Sequence, residues 1–504
     1  MEIVTIARLK EFRVYYFCFV LCLAGFCFGY DSGIVGGVLT LDSFNRDFKI
    51  QDHQRTVVGS LIVGLQQAGA IVSSIASAPL SERIGRRKAI IVSCIVFNIG
   101  VLLEVLPVHS LQLFYVGRVI AGLGLGSCFS VAPMYLAEMA PKEIRGRLGS
   151  CLQWMFTWGM LVSYLVDLAV AKLMGPITMQ WQIPLGLQMV PAGLLGLGLW
   201  TQRESVRWLL KKGRRDEAWQ SLKWIRADDA SVKLEFDEMQ LRIQKEMEAS
   251  QAFRKRELLE PANRHRLLIA FLTCLCQQST GAPALAYFGP QFFTILVGHG
   301  QQALTITAFF GVIKIVACGV FVIFLSERLG RRQVFILGGL GMAACMILTG
   351  VLLKTFPPSA EGGASSASIA TVALIFINIA FYNSSWGPFA YLYIAEIFPV
   401  RIREIGVAVG IASMWTFTCA YSFATPYMME YMGWGTFIYY GVADVCMALF
   451  AFFVMKETHG VALEEMDELF QRRTTGHYAD DMGRIDIREA ADAKQGMEET
   501  KIGH

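Results

Sequence analysis

Charged side chains are scarce in this chain. Asp, Glu, Lys and Arg make up 17% of its 504 residues, whereas 54% of the residues are hydrophobic. A soluble protein of this length is usually richer in charge and divided into several domains. The few charges stand between apolar runs of roughly 20 residues, the length that an α-helix needs to cross a bilayer core of about 30 Å. The composition therefore predicts an all-α membrane protein.

Several patterns that would indicate other functions are also missing. No Ser/His/Asp set, metal-ligand spacing or phosphate-binding loop stands out, and no basic stripe stands apart from the loops. The twelve cysteines all fall within apolar runs, where a thiol packs as a small hydrophobic group. Cys274 and Cys276 have the wrong spacing for a zinc site. We therefore expect that the chain is not an enzyme. We also expect no cofactor, no disulfide framework and no nucleic-acid partner.

The apolar runs predict twelve transmembrane helices in two halves. Their approximate positions are 14–39, 55–79, 89–106, 111–137, 147–171, 183–201, 266–297, 303–325, 333–354, 370–395, 405–429 and 434–455. The expected organisation is an N-terminal tail (1–13), a six-helix half (14–201), a polar linker with short surface helices (202–264), a second six-helix half (265–455) and a C-terminal tail (456–504). Since positively charged short loops stay in the cytoplasm, both tails and the linker are predicted to be cytoplasmic.

Two polar phrases occur once in each half. The sequence SERIGRR at 81–87 returns as SERLGRR at 326–332. The sequence YLAE at 135–138, with Pro141 and Arg145 after it, returns as YIAE at 393–396 with Pro399 and Arg403. Two halves built on one plan inside a membrane are typical of a carrier that alternates access around a central site. Transport is therefore the leading hypothesis.

Four charges, Asp31, Arg118, Lys314 and Asp444, are expected to lie inside the membrane, and Asp444 is assigned no role. Asp31 lies roughly 12 Å from the outer end of the first span and Arg118 roughly 10 Å from the outer end of the fourth, by the helical rise per residue. A carboxylate that alternates between an arginine and a proton can couple transport to protons, whereas a permanent ion pair is the structural alternative. Lys314 lies near the midplane, where its stem of about 6 Å is too short to reach either headgroup layer. It would attract an anionic substrate or pair with an internal acid.

Amide and aromatic residues gather at the predicted centre of the membrane, and a hydroxyl-rich ligand explains them better than packing alone. A break at 279–283 follows one amide pair, and a second polar break lies near Trp386. Broken helices inside a membrane are tolerated beside a cavity or protein partners. The residues concerned are Gln153, Gln277, Gln278, Asn383, Trp386, Tyr391 and Trp415.

Together these motifs resemble those of the sugar porters of the major facilitator superfamily, over about residues 10–470. The resemblance rests on GYDSG at 29–33, the two repeated phrases, Gly117-Arg118 with the glycines that follow, the glutamine pair and Glu457-Thr458. It implies proton symport through Asp31 and Arg118, sugar contacts at Gln153, Gln277, Gln278 and Trp415, and an outer gate at Tyr287. It also implies a cytoplasmic salt-bridge network formed by Glu82, Arg83, Arg86, Arg87, Glu138, Arg145, Glu327, Arg328, Arg331, Arg332, Glu396 and Arg403.

The substrate is expected to differ from glucose. Pro283 and Ile315 replace asparagines that the family usually has, and Tyr391 replaces a tryptophan. The sequence GVIK at 311–314 resembles that of fungal quinate and related acid permeases. The hypothesis is therefore proton-coupled uptake of a sugar acid, galacturonate first and quinate next, across the fungal plasma membrane.

Two other interpretations of the sequence remain open. The carrier could take a neutral hexose or pentose, with Lys314 held by an internal acid, or the chain could be a non-transporting sugar receptor that signals through its tail. The expected partners are the small molecule, protons and the bilayer. The sequence leaves the oligomeric state open, and a monomer is compatible with it.

Overall fold

The computed structural model describes residues 2–141, 144–226, 229–251, 260–297, 301–325, 330–357, 366–398 and 402–458. Within these residues the secondary structure is helical, with nineteen α-helices and no strand. They are α1 (Glu2–Val38), α2 (Asp42–Asp47), α3 (Arg55–Ile84), α4 (Arg86–Val105), α5 (Leu111–Met139), α6 (Arg145–Leu173), α7 (Met179–Leu187), α8 (Met189–Trp200), α9 (Val206–Lys211), α10 (Arg215–Ile225), α11 (Asp229–Gln251), α12 (Pro261–Gln278), α13 (Ala282–Val297), α14 (Gln301–Val320), α15 (Arg331–Thr355), α16 (Ser366–Asn383), α17 (Trp386–Ile397), α18 (Arg403–Met432) and α19 (Gly435–Phe453).

Twelve segments of the described chain are long and apolar enough to span a membrane, which confirms the predicted fold class. Six precede the linker: Phe12–Val38, Asp52–Ile84, Arg86–Val105, Leu111–Met139, Leu148–Leu173 and Met179–Trp200. Six follow it: Asn263–Thr294, Gln302–Val320, Arg331–Thr355, Ser366–Ile394, Ile405–Met432 and Gly435–Phe453. The second span continues past its predicted end at residue 79, because the helix runs on into the first repeated phrase.

Close helix packing in the first half depends on glycine. A methyl group at Gly29 in α1 would overlap the carbonyl oxygen of Phe156 in α6, and one at Gly122 in α5 would overlap the carbonyl oxygen of Gln66 in α3. Because lipid tails are as apolar as side chains, helices in a bilayer associate through such close van der Waals contact. The glycines therefore hold α1 and α5 against their neighbours at the depth where Asp31 and Arg118 lie.

The seventh and tenth spans are each made of two helices. Between α12 and α13 the chain turns at Gly281, whose φ of 72° suits glycine and would strain another residue. Pro283 stands in the first turn of α13, where its missing N–H costs nothing. The break between α16 and α17 falls at Ser384 and Ser385. Both breaks interrupt a helix within a membrane-spanning segment.

Helices α9 and α10, which follow the sixth span, and the residues next to them contact the first half. The Trp208 indole N–H donates to the carbonyl of Glu82 at 2.9 Å, and Arg226 donates to the carbonyl of Met139 at 2.9 Å. Arg13 donates to the carbonyl of Trp224 at 3.2 Å. Trp208, Ala218, Leu222 and Ile225 are buried. The C-terminal tail lies outside the described residues from 459 onwards.

Candidate functional site

A cavity lies between the two halves, beside the breaks of the seventh and tenth spans. It encloses about 610 Å³ including its solvent-open part. The lining comes from α1, α5 and α6 in the first half and from α12, α13, α14, α16, α17 and α18 in the second. The lining residues are Phe28, Ser32, Phe129, Gln153, Phe156, Met160, Gln277, Gln278, Ala282, Pro283, Ala286, Tyr287, Lys314, Tyr382, Asn383, Gly387, Tyr391, Met414 and Thr418.

Most of the residues predicted to bind substrate meet in this cavity, although they are far apart in the sequence. Those that line it are Gln153, Gln277, Gln278, Lys314, Asn383 and Tyr391. The predicted gate residue Tyr287 also lines it, at the point where α13 packs against Gly36 of α1. Helix packing between the halves therefore gathers amide, hydroxyl and ammonium groups around one space.

The amide side chains of the cavity play different parts. The Gln277 side chain donates to the carbonyls of Trp386 and Gly387 at 3.2 and 3.0 Å, and thus braces the break of the tenth span. The Asn383 amide donates to the carbonyl of Ile379 at 2.8 Å. The Gln278 Oε1 atom is buried and has no hydrogen-bond partner among the described residues. Because buried polar atoms are normally paired, this oxygen is the better placed of the three to accept a ligand hydroxyl.

Lys314 places its ammonium group in the cavity wall without a carboxylate beside it. The side chain is 3% exposed. Its Nζ atom contacts the Met160 sulfur at 2.8 Å and lies 5.6 and 5.7 Å from the ring centres of Phe156 and Phe310. Sulfur and aromatic faces stabilise a cation weakly compared with an acid. Among the described residues no salt bridge to Lys314 is found, so its charge is available to a ligand.

Two predicted substrate contacts, Trp386 and Trp415, do not line the cavity. The Trp386 indole N–H donates to the carbonyl of Phe335 at 2.9 Å, and its ring packs on the Phe335 ring of α15. Trp415 packs behind the cavity wall, against Phe28 and Phe129. Both tryptophans are 0% exposed. Their large rings fill space between helices. The sequence pattern could not distinguish this packing role from contact with a ligand.

Sequence reasoning missed several wall residues. Phe28, Phe129, Phe156, Met160 and Tyr382 form much of the apolar surface. Aromatic rings can stack on the C–H faces of a cyclic hydroxylated ligand. No signal in the sequence separates these residues from the many aromatic and methionine residues that pack elsewhere in the spans.

Asp31 and Arg118 meet in a buried cluster next to the cavity. The Arg118 Nη1 atom lies 3.2 Å from Asp31 Oδ1, and both side chains are 1% exposed. The Gln66 amide donates to Asp31 Oδ2 at 2.6 Å, and the Arg118 guanidinium donates to Gln66 Oε1 and to the carbonyl of Ile62. Ser32, the residue after Asp31, lines the cavity. A change of charge at Asp31 would therefore change the electrostatic potential at the cavity wall.

A second carboxyl group, absent from the sequence-based hypothesis, also faces this arginine. Glu104 Oε2 of α4 lies 3.5 Å from Arg118 Nη1, and its side chain is 0% exposed. In the sequence, Glu104 stands near the end of an apolar run. Glutamates at such positions commonly reach the membrane surface, so no sequence pattern indicated that this one lies inside the membrane.

The first repeated phrase forms a buried ion cluster in the loops. Arg86 pairs with Glu138 at 3.2 Å, with side-chain exposures of 3% and 7%. Ser205 donates to the same carboxylate. Glu204 accepts from the backbone N–H groups of Arg86 and Arg87 at 2.9 and 3.1 Å, which places a carboxylate at the N-terminus of α4. Negative charge is favourable at a helix N-terminus.

The second phrase repeats this arrangement in the other half. Arg331 lies 3.5 Å from Glu396, and Thr458 donates to Glu396 at 2.6 Å. Glu457 accepts from the N–H groups of Arg331 and Arg332 at 2.7 and 3.1 Å, at the start of α15. The two clusters thus use equivalent residues of the repeated phrases, Arg86 and Glu138 in one half and Arg331 and Glu396 in the other. We call the face of the membrane where they lie the network side.

Some predicted network residues are placed differently. Glu82 and Arg83 are exposed and form no ion pair within the described residues, because the end of α3 points them away from the cluster. Glu327 and Arg328 lie outside the described residues. Arg145 and Arg403 begin α6 and α18, but their side chains are not among those described.

The family model described as "Sugar (and other) transporter" matches residues 17–470. The chain belongs to the sugar transporter family. The quinate permease of Emericella nidulans is 32% identical over 480 residues, covering 93% of this chain and 90% of that protein. The probable quinate permease of Aspergillus niger is 30% identical, covering 92% of this chain and 88% of that protein.

Solved structures show the same fold. The major facilitator superfamily proton:xylose symporter XylE bound to 6-bromo-6-deoxy-D-glucose aligns with a TM-score of 0.75 at 24% identity, over 91% of this transporter and 99% of that chain. The major facilitator superfamily transporter FucP in its outward conformation aligns with a TM-score of 0.56 at 13% identity, over 87% of this chain and 98% of that chain. The protein is thus a multi-pass membrane transporter with the major facilitator fold.

Breaking the Arg86–Glu138 pair is expected to destabilise the transporter. Glu138→Ala would leave the buried Arg86 guanidinium without its acid, and loss of one partner of a buried pair typically costs about 3–5 kcal/mol. We expect a lower melting temperature of the detergent-solubilised protein, followed by fluorescence-detected size exclusion after heating. Glu82→Ala, in the same region but exposed, is the control and should melt like wild type. Equal melting of the two variants would contradict the importance of the pair.

Proposed function

We propose that this transporter carries a polyhydroxylated monocarboxylate into the cell together with protons. The observation that carries the proposal is the ammonium group of Lys314, buried in the cavity wall with no carboxylate beside it in the described chain. A buried charge is expensive in a membrane unless it is paired. A substrate carboxylate would supply the missing counter-charge.

The charge of the cavity supports an anion. Its lining includes one cation, Lys314, and no Asp or Glu among the described residues. A neutral hexose or pentose, the alternative substrate, would leave this ammonium unpaired during binding. The neutral-sugar hypothesis required an internal acid paired with Lys314, and no salt bridge to Lys314 is found in the described part of the chain.

The rest of the wall suits hydroxyl groups on a ring. Gln278 has a buried oxygen that no described residue pairs with, and Ser32 and Thr418 bring hydroxyl groups to the cavity. Apolar faces from Phe28, Phe156 and Tyr382 complete it. Quinate and galacturonate are both cyclic polyhydroxylated acids. Two relatives are named quinate permease and probable quinate permease, which favours quinate as the first acid to test.

Proton coupling is supported by the cluster at Asp31. Asp31 pairs with Arg118, and the next residue in the chain, Ser32, lines the cavity, so protonation of Asp31 can alter the wall. The structural neighbour XylE is named a proton:xylose symporter, in keeping with this mechanism. Plasma-membrane location with cytoplasmic termini is part of the proposal, because the basic loops lie on the network side.

The two predicted breaks in the seventh and tenth spans would let the second half change shape around the cavity. Alternation would then open the cavity to one side at a time, with the two loop clusters holding each half as a unit. A receptor that binds without transport would keep the same cavity, and measured flux separates it from a carrier.

Uptake by transporter-deficient yeast expressing the chain tests the proposal. Labelled quinate, galacturonate, glucose and xylose are supplied at several external pH values, with empty-vector cells as the control for passive entry of undissociated acid. We expect saturable uptake of an acid that rises as external pH falls and collapses with a protonophore. Saturable uptake of glucose or xylose that neither acid inhibits would refute the acid specificity. Binding without flux for all four would indicate a receptor.

A further inference from the structure

Arg118 faces two carboxylates, not one. Its Nη1 atom lies 3.2 Å from Asp31 Oδ1 and 3.5 Å from Glu104 Oε2. None of the three side chains is more than 1% exposed. Helix α1 supplies Asp31, α5 supplies Arg118, and α4 supplies Glu104.

Charge balance requires a proton in this cluster. The titratable groups that face Glu104 are Arg118 from α5 and Asp31 from α1. The neighbouring helices α3 and α7 contribute neutral amides, Gln66 and Gln182. The Gln182 amide donates to the carbonyl of Val105. Two ionised acids and one guanidinium would leave one uncompensated negative charge buried in the membrane. Such a charge is costly, and the group protonates instead.

The contacts indicate which acid holds the proton. Asp31 accepts from Gln66 at 2.6 Å as well as from Arg118, so both of its oxygens have partners. Glu104 has only the longer 3.5 Å contact, and its Oε1 atom has no partner among the described residues. An ionised carboxylate needs acceptor contacts that Glu104 lacks. The proton therefore belongs on Glu104 in the arrangement seen here.

We propose that Glu104 is the second proton-carrying residue of the coupling site, and that Asp31 and Glu104 alternate as the carboxylate partner of Arg118. This inference rests on the proposed proton coupling. When a proton binds Asp31, its pair with Arg118 is lost. The O–H bond of Glu104 then breaks, its proton leaves, and the Glu104 carboxylate takes over the guanidinium. The net charge of the cluster is zero both before and after this exchange.

The two acids of the cluster lie at different positions relative to the cavity and the membrane. Helix α4 begins at Arg86 on the network side and ends at Val105, one residue beyond Glu104. Glu104 thus lies toward the opposite side of the membrane, whereas Asp31 adjoins the cavity through Ser32. Arg118 lies between the two acids, and it prevents either from being isolated in the bilayer.

Infrared spectroscopy of the purified protein tests where the proton is, independently of transport. In protein labelled with ¹³C-glutamate, the isotope-shifted carbonyl band of a protonated carboxyl group reports glutamate alone. We expect this band in wild type, its loss in Glu104→Gln, and its loss in Asp31→Asn, where Glu104 ionises to pair with Arg118. The control Asp444→Asn, which removes a buried carboxyl elsewhere in α19, should keep it. Absence of the band from wild type, or its persistence in Glu104→Gln, would overturn the proposal.

The pH dependence of uptake provides the second measurement. Without Glu104, protonating Asp31 leaves Arg118 unpaired, so half-maximal uptake by Glu104→Gln should require an external pH lower by about one unit or more. Glu104→Asp, which keeps the carboxyl group, should stay closer to wild type. An unchanged pH profile in a Glu104→Gln protein that still folds contradicts the inference. If wild type itself moves no protons, the proposed function fails, and the infrared band still decides the protonation of Glu104.

Discussion

Asp31→Asn is expected to abolish uphill accumulation of the substrate. Asparagine keeps the shape of the side chain and can still accept a hydrogen bond from Arg118, but it neither ionises nor carries a proton. Without proton coupling the carrier can only equilibrate its substrate. For an anion in a cell with a negative interior, the final internal concentration then stays at or below the external one. Some exchange of substrate across the membrane should remain, because the cavity itself is intact.

The matched control is Asp444→Asn. Asp444 is also a buried aspartate within a span, with neither carboxylate oxygen partnered among the described residues, but it does not line the cavity. Accumulation and substrate-induced alkalinisation of the medium are measured in cells expressing each variant. Accumulation by Asp31→Asn at the wild-type level would rule out the coupling role of Asp31.

Lys314→Ala is expected to remove uptake of an acid substrate far more than uptake of a neutral sugar. The ammonium group is the one cation among the described residues of the cavity lining, and truncating one partner of a buried charge pair typically costs about 2–5 kcal/mol. That cost corresponds to a fall of roughly 30-fold or more in the efficiency of acid uptake. A neutral sugar makes no such pair, so any residual uptake of it should change little.

The control for this prediction is Lys354→Ala. Lys354 is an exposed lysine at the end of α15 that stacks on Trp434, away from the cavity. Initial rates are compared for quinate and for a neutral competitor in the same membranes. Equal losses for both substrates in Lys314→Ala would show that the lysine supports the cavity wall and does not recognise a carboxylate.

Depth in the membrane explains what could be predicted about the coupling cluster. Asp31 and Arg118 were placed at similar depths by counting residues along their spans, and the structure brings them to 3.2 Å. Glu104 escaped the same reasoning because it is one residue from the end of α4, where simple counting puts a side chain at the membrane surface. Only the packing of α4 against α5 shows that it reaches inward to Arg118.

The loop clusters also contain features that the sequence could not predict. The repetition of the two phrases indicated paired arginines and glutamates, and the pairs Arg86–Glu138 and Arg331–Glu396 are present in the structure. Which arginine of each phrase turns inward depends on where the preceding helix ends. For that reason Arg86 is buried, whereas the neighbouring Arg83 is exposed.

By itself, the amino-acid sequence determined the twelve spans, the two related halves, the broken helices and the rare charges inside the membrane. These features are local, because each span must satisfy its own backbone and cover about 30 Å of hydrocarbon whatever its neighbours do. Only the tertiary structure decided which polar groups share the cavity, that Trp386 and Trp415 pack outside it, and that Glu104 joins Asp31 at Arg118. Those outcomes depend on the rotation of each helix about its axis, which is set by contacts between residues far apart in the chain.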